Sequence, residues 1–148
     1  MNYHARRSFV SLISGILLFI AYWLYIFRVR YPDSSWLEMD LKFWGGALLA
    51  FVLVSIASRI LIQIFFVIIH RIISGEEEPK VEDERDQMIE LRALRNSHWI
   101  FVIGFMLAMG VLAYGSPPSY MFAVLLMSGL MADAVGELSH IISYRRGF

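Results

Sequence analysis

Four apolar runs dominate this chain, at about Ser8–Phe27, Phe43–Ile69, His98–Tyr114 and Ser119–Ile142. A helix rises about 1.5 Å per residue and a bilayer's hydrocarbon core is about 30 Å thick, so each run is of a length that can cross it. The pattern predicts an all-α fold: an integral membrane four-helix bundle forming a single membrane domain over residues 1–148. At 58% hydrophobic and 18% charged, the chain exceeds the apolar share of about 45–50% usual in soluble domains. Net charge is zero and there are no cysteines. These values argue against a nucleic-acid partner and exclude disulfides, thiolate metal sites and disulfide redox chemistry.

Arg6 and Arg7 give the first run the basic start of a signal peptide, but it is too long for one and Ala21-Tyr-Trp is a poor cleavage site. It is expected to be retained as a span. Tyr22, Trp23 and Tyr25 suit an interfacial aromatic belt. The loop after it carries Asp33, Glu38, Asp40 and Lys42, with Trp36 and Leu37 placed to dip into the interface. The second run begins with Gly45, Gly46, Ala47 and Ala50, a narrow surface for a neighbouring backbone. Its apolar pattern persists to Ile73, interrupted by Arg59, Gln63 and His70. As one helix it would be about 46 Å long, so it must tilt, protrude or end early.

A hinge and helix at 74–97 follow. Acids crowd the helix start at Glu82, Asp83, Glu84 and Asp86, where the helix dipole favours them, and Glu90 adds another. Arg85 is the main basic partner, spaced for Glu82. No proline or glycine separates this segment from the third span. One continuous helix is expected, its first ~15 residues projecting about 20 Å into water. Val81, Met88, Leu91 and Leu94–Arg95 roughly define one side of it. Gly104 and Ala108 form a small-xxx-small pair, and Ser128, Ala132 and Gly136 a small-residue stripe, for packing within the bundle or between copies. Gly115-Ser-Pro-Pro reads as a tight turn.

Lys and Arg set orientation. Nine fall on the side of the two termini and the 70–97 segment, and three on the other side. Both termini and the acidic helix are therefore expected in the cytoplasm, with 33–42 and 115–119 outside.

Counting inward from the outer end of each span places Ser11, Arg59, His98 and Asp133 at one depth, about 22–24 Å. Gln63 and Glu137 lie one turn further. An intramembrane charge costs roughly 2.5–3.5 kcal/mol on insertion scales, so a partner is required. The expectation is a polar cluster of Arg59, Gln63, His98, Asp133 and Glu137 centred on an Arg59–Asp133 ion pair. A buried pair that fixes helix register is the plain reading; a proton-handling or ion-binding site is the alternative. Glu137-x-x-His140 has the spacing of metal-binding pairs in helical bundles, yet the chain has one such pair where a full site uses two, so no metal is expected. His98 and His140 have no supporting haem pattern, and no cofactor is expected. There is no phosphate-binding glycine loop, HExxH or Ser/His/Asp arrangement, and the expectation is a protein that is not an enzyme.

Asp83-Glu-Arg-Asp, then Ile89-Glu-Leu-Arg and Ser97 leading into a span, together with Asp133 in the last span and a terminal Tyr144-Arg-Arg-Gly, resemble the small prokaryotic four-span membrane proteins grouped as domain-of-unknown-function family 2178. The resemblance covers Val81 to Phe148; the first half is similar only as two spans. The family has no established activity. Its members stand beside helix-turn-helix regulators, which implies a regulatory or stress-related role in a prokaryotic plasma membrane. His140 departs from the glutamine-like residue that the resemblance leads us to expect. The resulting expectation is a non-enzymatic multi-pass membrane protein, acting through its acidic helix on a cytoplasmic protein or as a homo-oligomer. The alternative is a small transporter or ion-responsive protein using Arg59, Asp133 and Glu137.

Overall fold

A computed structural model of the chain describes residues 3–30, 35, 39–74 and 84–146. The fold is all-α. Helix α1 spans Tyr3–Tyr25 and continues into a single π-helical turn, Ile26–Arg30. α2 spans Leu41–Ser74, α3 Glu84–Ala113 and α4 Pro118–Arg146. All four are long and apolar enough to cross a membrane. Asp33, Trp36, Leu37, Glu38, the hinge at 75–80, Val81, Glu82 and Asp83 lie outside the described residues.

The helix ends follow from local chemistry. Asp40 caps α2, its Oδ1 accepting from the Phe43 amide at 2.8 Å, which satisfies one of the first-turn donors that no carbonyl can reach. α2 does not end early: it runs unbroken for 34 residues. α3 opens with Glu84 and Asp86 in its first turn, matched to the positive end of the helix dipole. Its end is a Schellman turn. Gly115 takes φ +84°, its amide donates to Leu112 O at 3.0 Å, and the Ser116 amide donates to Val111 O at 3.4 Å. Only glycine adopts that backbone cheaply. Pro118 then occupies the first position of α4, where its missing N–H costs nothing.

Packing is uneven. α3 and α4 share the broadest contact, α1 lies against α4, and α2 leans on α1 while meeting α4 little. Among the described residues α2 and α3 do not meet, and α4 is the one element that α3 packs against. The α3–α4 seam is built from small residues. Ala93, Gly104 and Ala108 on α3 and Ser128 and Ala132 on α4 are buried. A Cβ on Gly104 would overlap the Ser128 side chain. Small side chains let the two backbones close up into van der Waals contact.

The faces of the 84–97 segment differ sharply. Met88, Leu91 and Leu94 are exposed, and the packed side of the 84–97 segment is Ile89 and Ala93. Nor does that segment stand alone, because α4 continues to Arg146 beside it, and the Tyr144 phenol donates to the Asp86 carboxylate. The small residues Ala93 and Ser97 let α4 come close, and Ile89 is covered on the same side. Gly136 reflects the same closeness, since a Cβ there would lie 3.4 Å from that of Ser97.

The aromatic residues at the end of α1 divide between surface and interior. Tyr25 is exposed, but Trp23 and Trp44 are buried in a cluster that ties α1, α2 and α4 together. The Trp44 ring stacks on Phe122 at 5.6 Å and lies 5.9 Å from Trp23. Trp44 Nε1 donates to Ser119 Oγ at 3.3 Å, and Tyr22 Oη donates to Ala47 O at 2.8 Å. Gly45 and Gly46, expected to admit a neighbouring backbone, border open space instead.

Candidate functional site

The polar residues of α1, α2 and α4 converge at the end of the molecule opposite this aromatic cluster. Helical periodicity explains the convergence. Arg7, Ser11, Ser14 and Gly15 recur on one face of α1, Arg59 and Gln63 are one turn apart on α2, and Asp133 and Glu137 are one turn apart on α4.

Arg59 Nη2 forms an ion pair with Asp133 Oδ1. Arg59 Nη1 lies 4.0 Å from Glu137 Oε1, so one guanidinium addresses both carboxylates. Ser11 Oγ donates to Glu137 Oε1 at 2.5 Å, and Ser14 Oγ to Ser11 O at 3.0 Å. Arg7 Nη2 donates to Gln63 Oε1 at 3.1 Å. Gly15 makes the junction possible. A Cβ there would sit 3.2 Å from Asp133 Oδ2 and 3.9 Å from Arg59 Nη2, tighter than ordinary contact on the first count. The arrangement brings two cationic and two anionic side chains together through short polar links, and it fixes the rotation of three helices at once.

The side chains of Arg59 and Asp133 keep 41% and 31% of their exposure, and that of Glu137 keeps 15%. The pair is therefore only half-buried. The exposed part of Arg59 and Asp133 lines a groove of about 470 Å³ between α2 and α4. Ser55 lies on the groove wall, but its hydroxyl donates to Phe51 O at 2.7 Å, back into its own helix. The rest of the lining is mostly aliphatic and aromatic.

His98 is not part of the cluster. It is exposed on α3, and α3 packs on α4 alone while the other members come from α1, α2 and α4. Its neighbour Ser97 takes the α4-facing position beside Gly136, which turns His98 about 100° away. Depth counting gives height along a helix and carries no azimuth. Arg7 and Gly15 are members that the counting missed. Their signal is the polar and small stripe of α1, in which Arg7 had been assigned only to orientation.

His140 is half-buried one turn beyond Glu137, and no group of three His, Asp or Glu residues suited to a metal gathers among the described residues. In the acidic segment, Glu84, Arg85 and Glu90 are exposed and Asp86 is half-buried against Tyr144. The exposed face of the 84–97 segment thus carries Glu84, Arg85 and Glu90 together with Met88, Leu91 and Leu94, and α4 holds it in a fixed direction. Asn96 Nδ2 reinforces that hold, donating to Ser139 Oγ at 3.1 Å.

Comparison of the chain with protein-family models, with curated proteins and with solved structures finds no match.

Proposed function

We propose that this is a non-enzymatic, multi-pass protein of a prokaryotic plasma membrane, with both termini in the cytoplasm. Its role is to present the exposed face of the 84–97 segment, with its acids beside Met88, Leu91 and Leu94, to a cytoplasmic protein. The observation that carries this reading is the burial of Ile89 and Ala93 against α4 while Glu84 and Glu90 stay exposed. A helix continuous with an apolar span thereby displays acids at a fixed angle and height. Fixed display lowers the ordering cost of docking, because the surface need not be immobilised on binding. The family resemblance over Val81–Phe148 supports a regulatory setting. Co-purification from cells, with Glu84→Lys and Glu90→Lys combined, tests it. The charge-reversed protein should lose a partner that the unaltered protein retains, and an unchanged partner list would count against the reading.

A second reading is favoured by the groove that reaches the Arg59–Asp133 pair. Ionisable groups at membrane depth often mark pathways, so an ion- or proton-responsive role for Arg59, Asp133 and Glu137 is its content. Proteoliposome flux that is absent in the unaltered protein would eliminate it.

A further inference from the structure

α2 is held to α4 at two places. At one end Trp44 stacks on Phe122 and donates to Ser119. At the other Arg59 meets Asp133. Between these clamps the helices stand apart, and the gap is the groove of about 470 Å³. Val52 and Ile56 line it from α2, Leu126 and Leu130 from α4, and Phe101 of α3 borders it. Because α2 and α3 do not meet among the described residues, the groove is open to the side.

We propose that this groove holds one acyl chain of a glycerolipid from the cytoplasmic leaflet, with its ester carbonyl accepting a hydrogen bond from Arg59. The inference rests on the membrane orientation proposed above. Length is the first argument. The α2 wall runs from Leu48 to Ile62, about 21 Å at 1.5 Å per residue, with Arg59 one turn from its polar end. Counted from Phe43, Ile62 lies about 28 Å and Leu48 about 8 Å along a span set against a core of about 30 Å, so the wall runs from near the cytoplasmic edge through that leaflet and past the bilayer centre. The polar end lies toward the cytoplasm and the apolar end toward the bilayer centre and beyond, which is the polarity of an inner-leaflet chain.

Hydrogen bonding is the second argument. A guanidinium carries five N–H donors and no acceptor. Asp133 engages one nitrogen and Glu137 stands 4.0 Å from another, so donors remain on a side chain that is 41% exposed and lines the groove. Charge is the third. The two carboxylates beside Arg59 repel an anionic group at that point, so a neutral acceptor is the complementary one. An ester carbonyl is neutral, accepts, and sits at the boundary between chain and head group. The volume falls within the range of about 300–1,000 Å³ typical of pockets that take small apolar ligands with a few fixed polar contacts.

The test uses the full chain in phosphatidylcholine vesicles. The probe is an ester-linked phosphatidylcholine with a diazirine midway along one acyl chain, and labelled residues are mapped by mass spectrometry. Labelling of Ile56 and Leu130 should saturate and yield to unlabelled ester lipid. Labelling of Leu61 and Phe65, which are exposed and away from the groove, should do neither. A Cβ on Gly129 meets no atom within 4 Å, so Gly129→Phe places a ring in the groove. Wall labelling should then fall about tenfold, the equivalent of about 1.4 kcal/mol, with Leu61 unchanged. Val52→Trp fills the groove from the other wall and serves if the first variant does not fold. A diether analogue, lacking the carbonyl, should label the walls more weakly than the ester, and equal labelling would overturn the Arg59 contact. Wall labelling that never saturates, or that ignores both variants, would overturn the proposal as bulk lipid only. Crosslinks from the walls to a second copy would overturn it in favour of a protein occupant. Absence of label even at Leu61 and Phe65 would overturn the placement of these helices in the membrane, a failure distinct from that of the groove.

Discussion

Gly104 has no room for a methyl group. The added Cβ would overlap the Oγ and Cβ of Ser128 and stand 3.3 Å from its Cα. The hydroxyl can rotate away, but the Ser128 Cβ and backbone cannot. Gly104→Ala should therefore destabilise the protein by about 1–3 kcal/mol, the usual range for overpacking a tight contact. Denaturation in mixed micelles checks this, with Gly129→Ala as the control that should leave stability nearly unchanged because its Cβ meets open space. Gly15→Ala belongs to the same scale but acts on the charges. Its methyl would press at 3.2 Å on Asp133 Oδ2, and a smaller loss is expected because a carboxylate can shift by a few tenths of an ångström. The ion pair itself invites a double-mutant cycle. Breaking one side of a fully buried pair costs about 3–5 kcal/mol. Arg59→Gln and Asp133→Asn should each cost less than that, since both side chains are half-exposed. The double variant should lose less than the two single losses together, because no lone charge remains. Strict additivity would show that the two groups do not support each other.

The helices show what apolar and polar patterning can and cannot convey. The α2 and α3 lengths and the Gly115–Pro118 turn were legible, because each depends on local sequence and on rise per residue; the small residues of α3 and α4 were legible too, but not that they meet. Faces were less so. Tyr22, Trp23 and Tyr25 are equivalent as belt residues in the sequence, yet Trp23 turns into the bundle and Tyr25 out of it. Which side of a helix is covered depends on the neighbour that arrives there, and one chain read alone does not name the neighbour. His98 and the Met88–Leu91–Leu94 side illustrate the same gap. α2 is the element with the least packing to lose, and its aromatic clamp carries much of what holds it. Trp44→Ala removes the stack on Phe122 and the contact with Trp23. The loss should approach the roughly 3–5 kcal/mol seen on deleting a buried aromatic side chain. Hydrogen exchange should then quicken in α2 well before it does in α3 and α4, since local opening follows local contact density. Uniform quickening across all four helices would contradict this division.

For the molecule as a whole, topology is the first quantity to measure. Reporter fusions at Phe148 and within Ser34–Trp36 should give opposite readings, with Phe148 cytoplasmic, because Lys and Arg concentrate on the side of the termini. The same reading at both sites would exclude a four-span arrangement with both ends inside. The site was half legible at this scale. Depth counting put Arg59 and Asp133 at one height, and the structure places them in contact. The groove beside them was not legible, since a gap is a property of three helices together and leaves no mark on any one of them. The packing order also bears on biosynthesis. α4 is the principal neighbour of both α1 and α3, and a ribosome makes it last. A nascent chain that has reached Tyr114 owns three helices, of which only α1 and α2 have each other. The short Gly115–Pro118 turn lets α4 close on α3 as soon as it emerges, a local and therefore fast step. α1 must wait through most of synthesis for the surface it will rest on. Chains stalled before Pro118 are thus the form most exposed to quality-control proteolysis.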